Sequence, residues 1–100
     1  MKQIRIEYTL KPTADLALVK ERITQFVSGL REHRATKHYT SFQHAASPLR
    51  FTHVGAFDDA HVADLQAQPF FGAFTAFLRE QTDVGPEVAQ LVEVASTGTR

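Results

Sequence analysis

The sequence predicts one α+β domain whose elements run strand–helix–strand–strand–helix–strand. Three observations predict it. Residues alternate in polarity or facing over 2–10, 36–44, 49–57 and 87–96, as strands do. Between them, over 14–32 and 60–78, apolar residues recur in steps of three and four, as helices do. A chain of 100 residues is long enough for one core and short of the length at which chains divide, so residues 1–100 are expected to form a single domain with 97–100 as a frayed tail.

In the first strand Ile4, Ile6, Tyr8 and Leu10 share one parity and Gln3, Arg5, Glu7 and Thr9 the other. Lys11-Pro12-Thr13 breaks it, with Thr13 as the expected N-cap and Asp15 in a first turn that favours an acid. The helix from Ala14 to about Glu32 presents Leu16, Val19, Ile23, Phe26, Val27 and Leu30 as one stripe, and Arg31, His33 and Arg34 gather where its C-terminus favours positive charge. In the second strand Thr36, His38, Thr40, Phe42 and His44 point one way and Lys37, Tyr39, Ser41 and Gln43 the other. The short connection Ala45-Ala46-Ser47-Pro48 predicts an antiparallel hairpin with the strand over 49–57. Asp58 or Asp59 is expected to cap a helix over 60–67, and Pro69 suits the first turn of a second piece carrying Phe70, Phe71, Phe74, Phe77 and Leu78. Gly85-Pro86 is a turn before the last strand.

Two strand–helix–strand halves with right-handed crossovers interleave as a split βαβ, the ferredoxin-like βαββαβ arrangement with a four-stranded antiparallel sheet. The first and third strands then lie in the centre, with both helical segments on one face. Apolar residues on both parities of the third and fourth strands make a second subunit the expected cover of the other face, giving a homodimer; an isolated monomer with a half-polar open face is the alternative.

Composition excludes several functions. Eleven basic residues balance eleven acidic ones without a basic stripe, which argues against a nucleic-acid partner. The absence of Cys rules out disulfides, thiolate metal sites and a Cys nucleophile. No apolar run approaches a membrane span, no secretory leader is apparent, and a cytoplasmic location is expected. Metal binding has little support: His38 and His44 lie about 20 Å apart along one strand, and no closely spaced His pair or glycine-rich phosphate loop is present.

Tyr39-Thr40-Ser41-Phe42-Gln43 followed by Pro48-Leu49-Arg50-Phe51-Thr52-His53 resembles the second and third strands of the antibiotic-biosynthesis-monooxygenase-like proteins of the dimeric α/β-barrel superfamily. Asp58-Asp59-Ala60 through Pro69-Phe70-Phe71-Gly72-Ala73-Phe74, and then Glu87 to Ser96, are similar to that family's helical segment and closing strand. The resemblance implies ferredoxin-like subunits paired sheet to sheet. It also implies a range of activities, from cofactor-independent oxygenases on quinol or polyketide-like aromatics to haem-degrading enzymes. This chain departs from the pattern: Gly55 and Phe57 stand where many members carry Glu and Trp, Leu65 and Phe70 where many carry His, and there is no Trp at all. His53 matches a subgroup whose third strand reads Phe-x-His-x-x-x-Phe.

His53 is the first candidate for catalysis. It shares a parity with Phe51, Gly55 and Phe57, and a Gly in a central strand leaves space beside it for a small aromatic ligand whose proton a His could shuttle. The competing reading is a His hydrogen-bonded inside the subunit interface, with Gly55 admitting a partner side chain. Tyr39, at a family position, is the second catalytic candidate, either donating to a ligand oxygen or making a structural hydrogen bond. Phe70, Phe71 and Phe74 are candidates to line a pocket for a planar ligand, with core packing as the alternative for Phe74 and Phe77. Arg50 could hold an anionic group or form a surface ion pair. Three functions follow: a small oxygenase or isomerase-like enzyme on a hydrophobic or aromatic metabolite with no bound cofactor, a haem- or ligand-binding relative without turnover, and a dimeric module whose activity is lost.

Overall fold

In a computed structural model that describes residues 1–98, the elements are β1 (Lys2–Thr9), α1 (Leu16–Arg31), β2 (Thr36–His44), β3 (Ser47–Phe57), α2 (Val62–Gln66), α3 (Pro69–Gln81) and β4 (Glu87–Leu91). Residues 99–100, part of the expected frayed tail, lie outside the described residues. The strands form one antiparallel sheet in the order β2-β3-β1-β4, so β1 and β3 are central as expected and the topology is ferredoxin-like.

Several boundaries differ from the sequence reading, each for a local reason. Lys11 to Ala14 closes a turn, with the Ala14 N–H donating to the Lys11 carbonyl at 3.0 Å. The cap therefore passes from Thr13 to Asp15, whose carboxylate accepts from the Leu18 N–H at 3.1 Å. Asp58 does cap, but caps a turn: its carboxylate accepts from the Ala60 N–H at 2.9 Å, and α2 starts only at Val62, after His61. Ser47 already pairs with His44, which shortens the expected four-residue connection to Ala45-Ala46. Leu10 leaves β1 to bridge Thr82. At the other end β4 stops at Leu91 rather than 96 because Leu91 pairs with Gln3, and β1 has only Lys2 beyond that pair. Pro69 opens α3 as expected, and Gly85 takes the left-handed φ of +81° that the turn into β4 requires.

The core lies between the helices and one sheet face. Val19, Ile23, Phe26 and Leu30 of α1 and Phe74, Phe77 and Leu78 of α3 bury against Tyr8, Phe51 and Phe57 of the central strands, with Leu65 of α2 closing one end. Phe26 is the hub: its ring stacks on Phe74 at 4.1 Å and 13°, and lies 5.6–5.9 Å from Tyr39, Phe70 and Phe71. The opposite sheet face carries the other parity, including Arg5, Glu7, Thr52, Val54 and Phe42, with Phe42 53% exposed.

Truncating the hub tests this account. Phe26→Ala removes a ring shared by four aromatic neighbours, and the cavity left behind is expected to cost about 3–5 kcal/mol in urea denaturation. Phe42→Ala, on the open face, should leave the unfolding free energy of a subunit nearly unchanged.

Candidate active site around a buried histidine

β3 is flanked by β1 and β2, so a side chain on its helix-facing side has neighbours from both. His53 is opposite Ile6 on β1 and Ser41 on β2, with Tyr8 and Tyr39 on the diagonals. The histidine is 1% exposed. Its Nε2 lies 2.8 Å from the Tyr8 hydroxyl and 3.1 Å from the Ser41 hydroxyl, and its Nδ1 lies 2.7 Å from the Tyr39 hydroxyl. The Tyr39 ring meets the imidazole edge-on at 5.6 Å, and Phe74 of α3 comes within 6.3 Å from above.

Burial sets the protonation states. It pushes the His53 imidazolium down from 6.5 to about 4, so the ring is neutral at physiological pH. The same burial raises the Tyr8 and Tyr39 phenols well above their ordinary value, which keeps both protonated; for Tyr39, Tyr8 adds a smaller push. A neutral imidazole has one N–H and one lone pair. Tyr39 reaches one nitrogen and Ser41 the other, so whichever nitrogen carries the lone pair has a hydroxyl from β2 hydrogen-bonded to it. Tyr39 and Ser41 also line a groove of about 460 Å³ between α1 and β2, together with Lys20, Val27 and Arg31. His53 itself is not among the residues lining that groove.

The sequence-predicted residues separate into four groups. His53, Tyr39, Phe51 and Phe74 are brought together, with Phe51 stacked under Tyr8 at 5.7 Å. Gly55 and Phe57 lie two and four residues beyond His53 along β3, and the space Gly55 leaves is filled from within the chain: a Cβ there would come 2.6 Å from the Tyr39 ring and 3.0 Å from Phe57. Gly55 thus admits Tyr39, not a partner side chain, and His53 faces the helices, not the open sheet face where an interface was envisaged. Phe70 and Phe71 pack on Phe26 at the mouth between α1 and α3. Arg50 is on the opposite sheet face, 3.4 Å from both Glu7 and Thr9. Tyr8 and Ser41 were missed. For Ser41 the signal was present, because it shares its strand parity with Tyr39; Tyr8 lies on β1, which carries no residue of the set, and only the strand order shows that both flank His53.

Two of the other histidines tie neighbouring segments together. His33 Nδ1 accepts from the Ala35 N–H at 3.1 Å, so its Nε2–H donates to Asp64 at 3.1 Å and ties the end of α1 to α2. His61 pairs with Asp58 at 3.0 Å. Among the described residues no three His, Asp or Glu side chains gather in a way that could hold a metal ion. Leu65 is fully buried.

No family model and no curated protein matches the chain. Solved structures do. A crystal structure of an antibiotic biosynthesis monooxygenase superposes with a TM-score of 0.83 at 18% identity, over 95% of this chain and 100% of that one. SnoaB, a cofactor-independent oxygenase from Streptomyces nogalater, gives 0.82 at 11% identity, over 98% and 97% of the two chains. Rv0793 from Mycobacterium tuberculosis gives 0.81 at 13% identity, over 97% and 98%. At these identities the likeness is one of fold, and at that level it meets the resemblance read from the strand and helix motifs.

The neutral histidine has a measurable consequence. Because its folded pKa of about 4 lies below the unfolded value of 6.5, the unfolded chain binds the extra proton between those limits. Stability should therefore be full above pH 6.5 and fall by about 3 kcal/mol as pH drops toward 4. Urea midpoints between pH 7.5 and 4.5 should show this slope in the native chain. His53→Gln, destabilised overall by about 1–3 kcal/mol, should lose the slope; an equal slope in the variant would assign the loss to other groups.

Proposed function

We propose that this chain belongs to the antibiotic-biosynthesis-monooxygenase-like family and is a small cofactor-independent oxygenase. Its substrate would be a hydroxylated, hydrophobic or aromatic metabolite held in the groove between α1 and β2. The observation that supports this is the dual engagement of Tyr39 and Ser41, which line the groove and hydrogen-bond opposite nitrogens of His53. A substrate hydroxyl placed against either group can release its proton through that hydroxyl to the ring lone pair, so His53 is the acceptor and Tyr39 or Ser41 the relay. The substrate is itself the reductant: an activated methylene and O₂ give a carbonyl and water, which balances atoms and electrons without a bound group. The fold shared with SnoaB supports the reading.

A second reading has its own observation. A histidine whose conjugate acid sits at about 4 is a weak base, which favours a module that binds such ligands without turning them over. Oxygen uptake over a panel of hydroquinones, naphthohydroquinones and anthrones separates the two. The oxygenase reading expects uptake that falls about 10²-fold or more in Tyr39→Phe combined with Ser41→Ala, in a variant that loses about 1–3 kcal/mol of stability with the partner of Nδ1 and stays folded at the assay temperature by circular dichroism. Saturable binding with no uptake by the native chain would leave the binding module.

We also propose that the chain acts as a homodimer, paired through the open sheet face. That face exposes Phe42, and the chain after β4 continues with Val92 and Val94, 85% and 97% exposed, in a strand-like alternation with no strand partner among the described residues. Light scattering should give twice 11.2 kDa. Phe42→Glu should give 11.2 kDa with unchanged circular dichroism. A native mass of 11.2 kDa at all concentrations would rule the dimer out.

A further inference from the structure

A second groove, of about 470 Å³, runs between α1 and α3, and its chemistry differs from that of the Tyr39–Ser41 groove. Its floor is aromatic: Phe26, Phe70 and Phe74. Gly29 on α1 contributes to the floor by having no side chain, since a Cβ there would stand 2.8 Å from the Phe70 ring. Glycine is unfavourable inside a helix, so this position trades helix propensity for the seating of Phe70. At one end stands Arg22, its guanidinium carbon 4.3 Å from the centre of the Phe77 ring. Among the described residues no carboxylate pairs with Arg22, and none lines the groove.

We propose that this groove binds a planar aromatic anion, with the ring on Phe26, Phe70 and Phe74 and the carboxylate or sulfonate on Arg22. The volume falls within the range of small-molecule sites. Ring faces and edges on the floor suit an aromatic body better than an aliphatic one. The Phe77 ring orients the guanidinium by a cation–π contact and takes up one face, leaving its N–H edges free for the bidentate recognition of an oxyanion. The floor also touches the other site, because Phe26 lies edge-on to Tyr39 at 5.9 Å. The proposal does not depend on that site being catalytic.

The test uses two probes with the same ring system: 1-anilinonaphthalene-8-sulfonate, which is anionic, and N-phenyl-1-naphthylamine, which is neutral. Fluorescence titration of the full chain should show saturable one-to-one binding, roughly tenfold tighter for the sulfonate. Arg22→Gln should abolish that preference while leaving the neutral probe's affinity unchanged. Arg22→Lys, which keeps the charge and loses the planar fork, should retain part of it. Gly29→Ala, which displaces the Phe70 ring, should weaken both probes. Amide-resolved NMR should place the perturbed signals at Gly29 and Ala73, and far-ultraviolet circular dichroism should confirm that each variant is folded. The proposal is overturned by absence of saturable binding, by a sulfonate preference that survives Arg22→Gln, or by perturbations centred on Thr40 and Ser41 or on Val54.

Discussion

A neutral imidazole at the centre of the sheet is the constraint on which the rest of this structure depends. His53 sits on an inner strand with water excluded, and its polar atoms must find partners within the chain. They find them on both neighbours: Tyr8 from β1, and Tyr39 and Ser41 from β2. Three strands are thereby held in one register, because a slip of one residue would turn His53 or its partners to the other face. Gly55 belongs to the same arrangement, since only a residue without a Cβ lets the Tyr39 ring lie across β3 and bring its hydroxyl to Nδ1.

The helices complete the enclosure through aromatic packing. Phe26 of α1 and Phe74 of α3 stack face to face above the sheet, and Phe74 reaches the imidazole. This explains how a domain without Trp closes a polar cluster: phenyl rings are large, lack polar atoms that would need partners, and pack edge and face in several directions. The same packing leaves shallow grooves where α1 diverges from β2 and from α3. One is edged by hydroxyls and the other by Arg22 over a phenyl floor, so the two offer different chemistry to a ligand.

The two sheet faces contrast for the same reason. The helix face is filled, whereas the other carries an ionic and polar set in which Glu7 accepts from Thr52 and lies 3.4 Å from Arg5 and Arg50, next to exposed Phe42. The Thr52 hydrogen bond, with help from both arginines, holds the Glu7 carboxyl below its ordinary range.

The sequence by itself determined the element order, the α+β class, the central places of β1 and β3, and the stripe of α1 that faces the core. These follow from periodicity and from connections too short to allow other topologies. It also singled out His53, Tyr39 and Phe74. Only the tertiary structure decided which sheet face His53 occupies, and that Tyr8, 45 residues away in sequence, and Ser41 share its Nε2 while Tyr39 takes Nδ1. Parity divides a strand into two sets without saying which set meets the helices, and hydrogen bonds across strands depend on register, which local sequence does not encode. The ends of α1, α2 and β4 were likewise settled by turns and by where a neighbouring strand runs out, a constraint that belongs to the partner element and not to the segment itself.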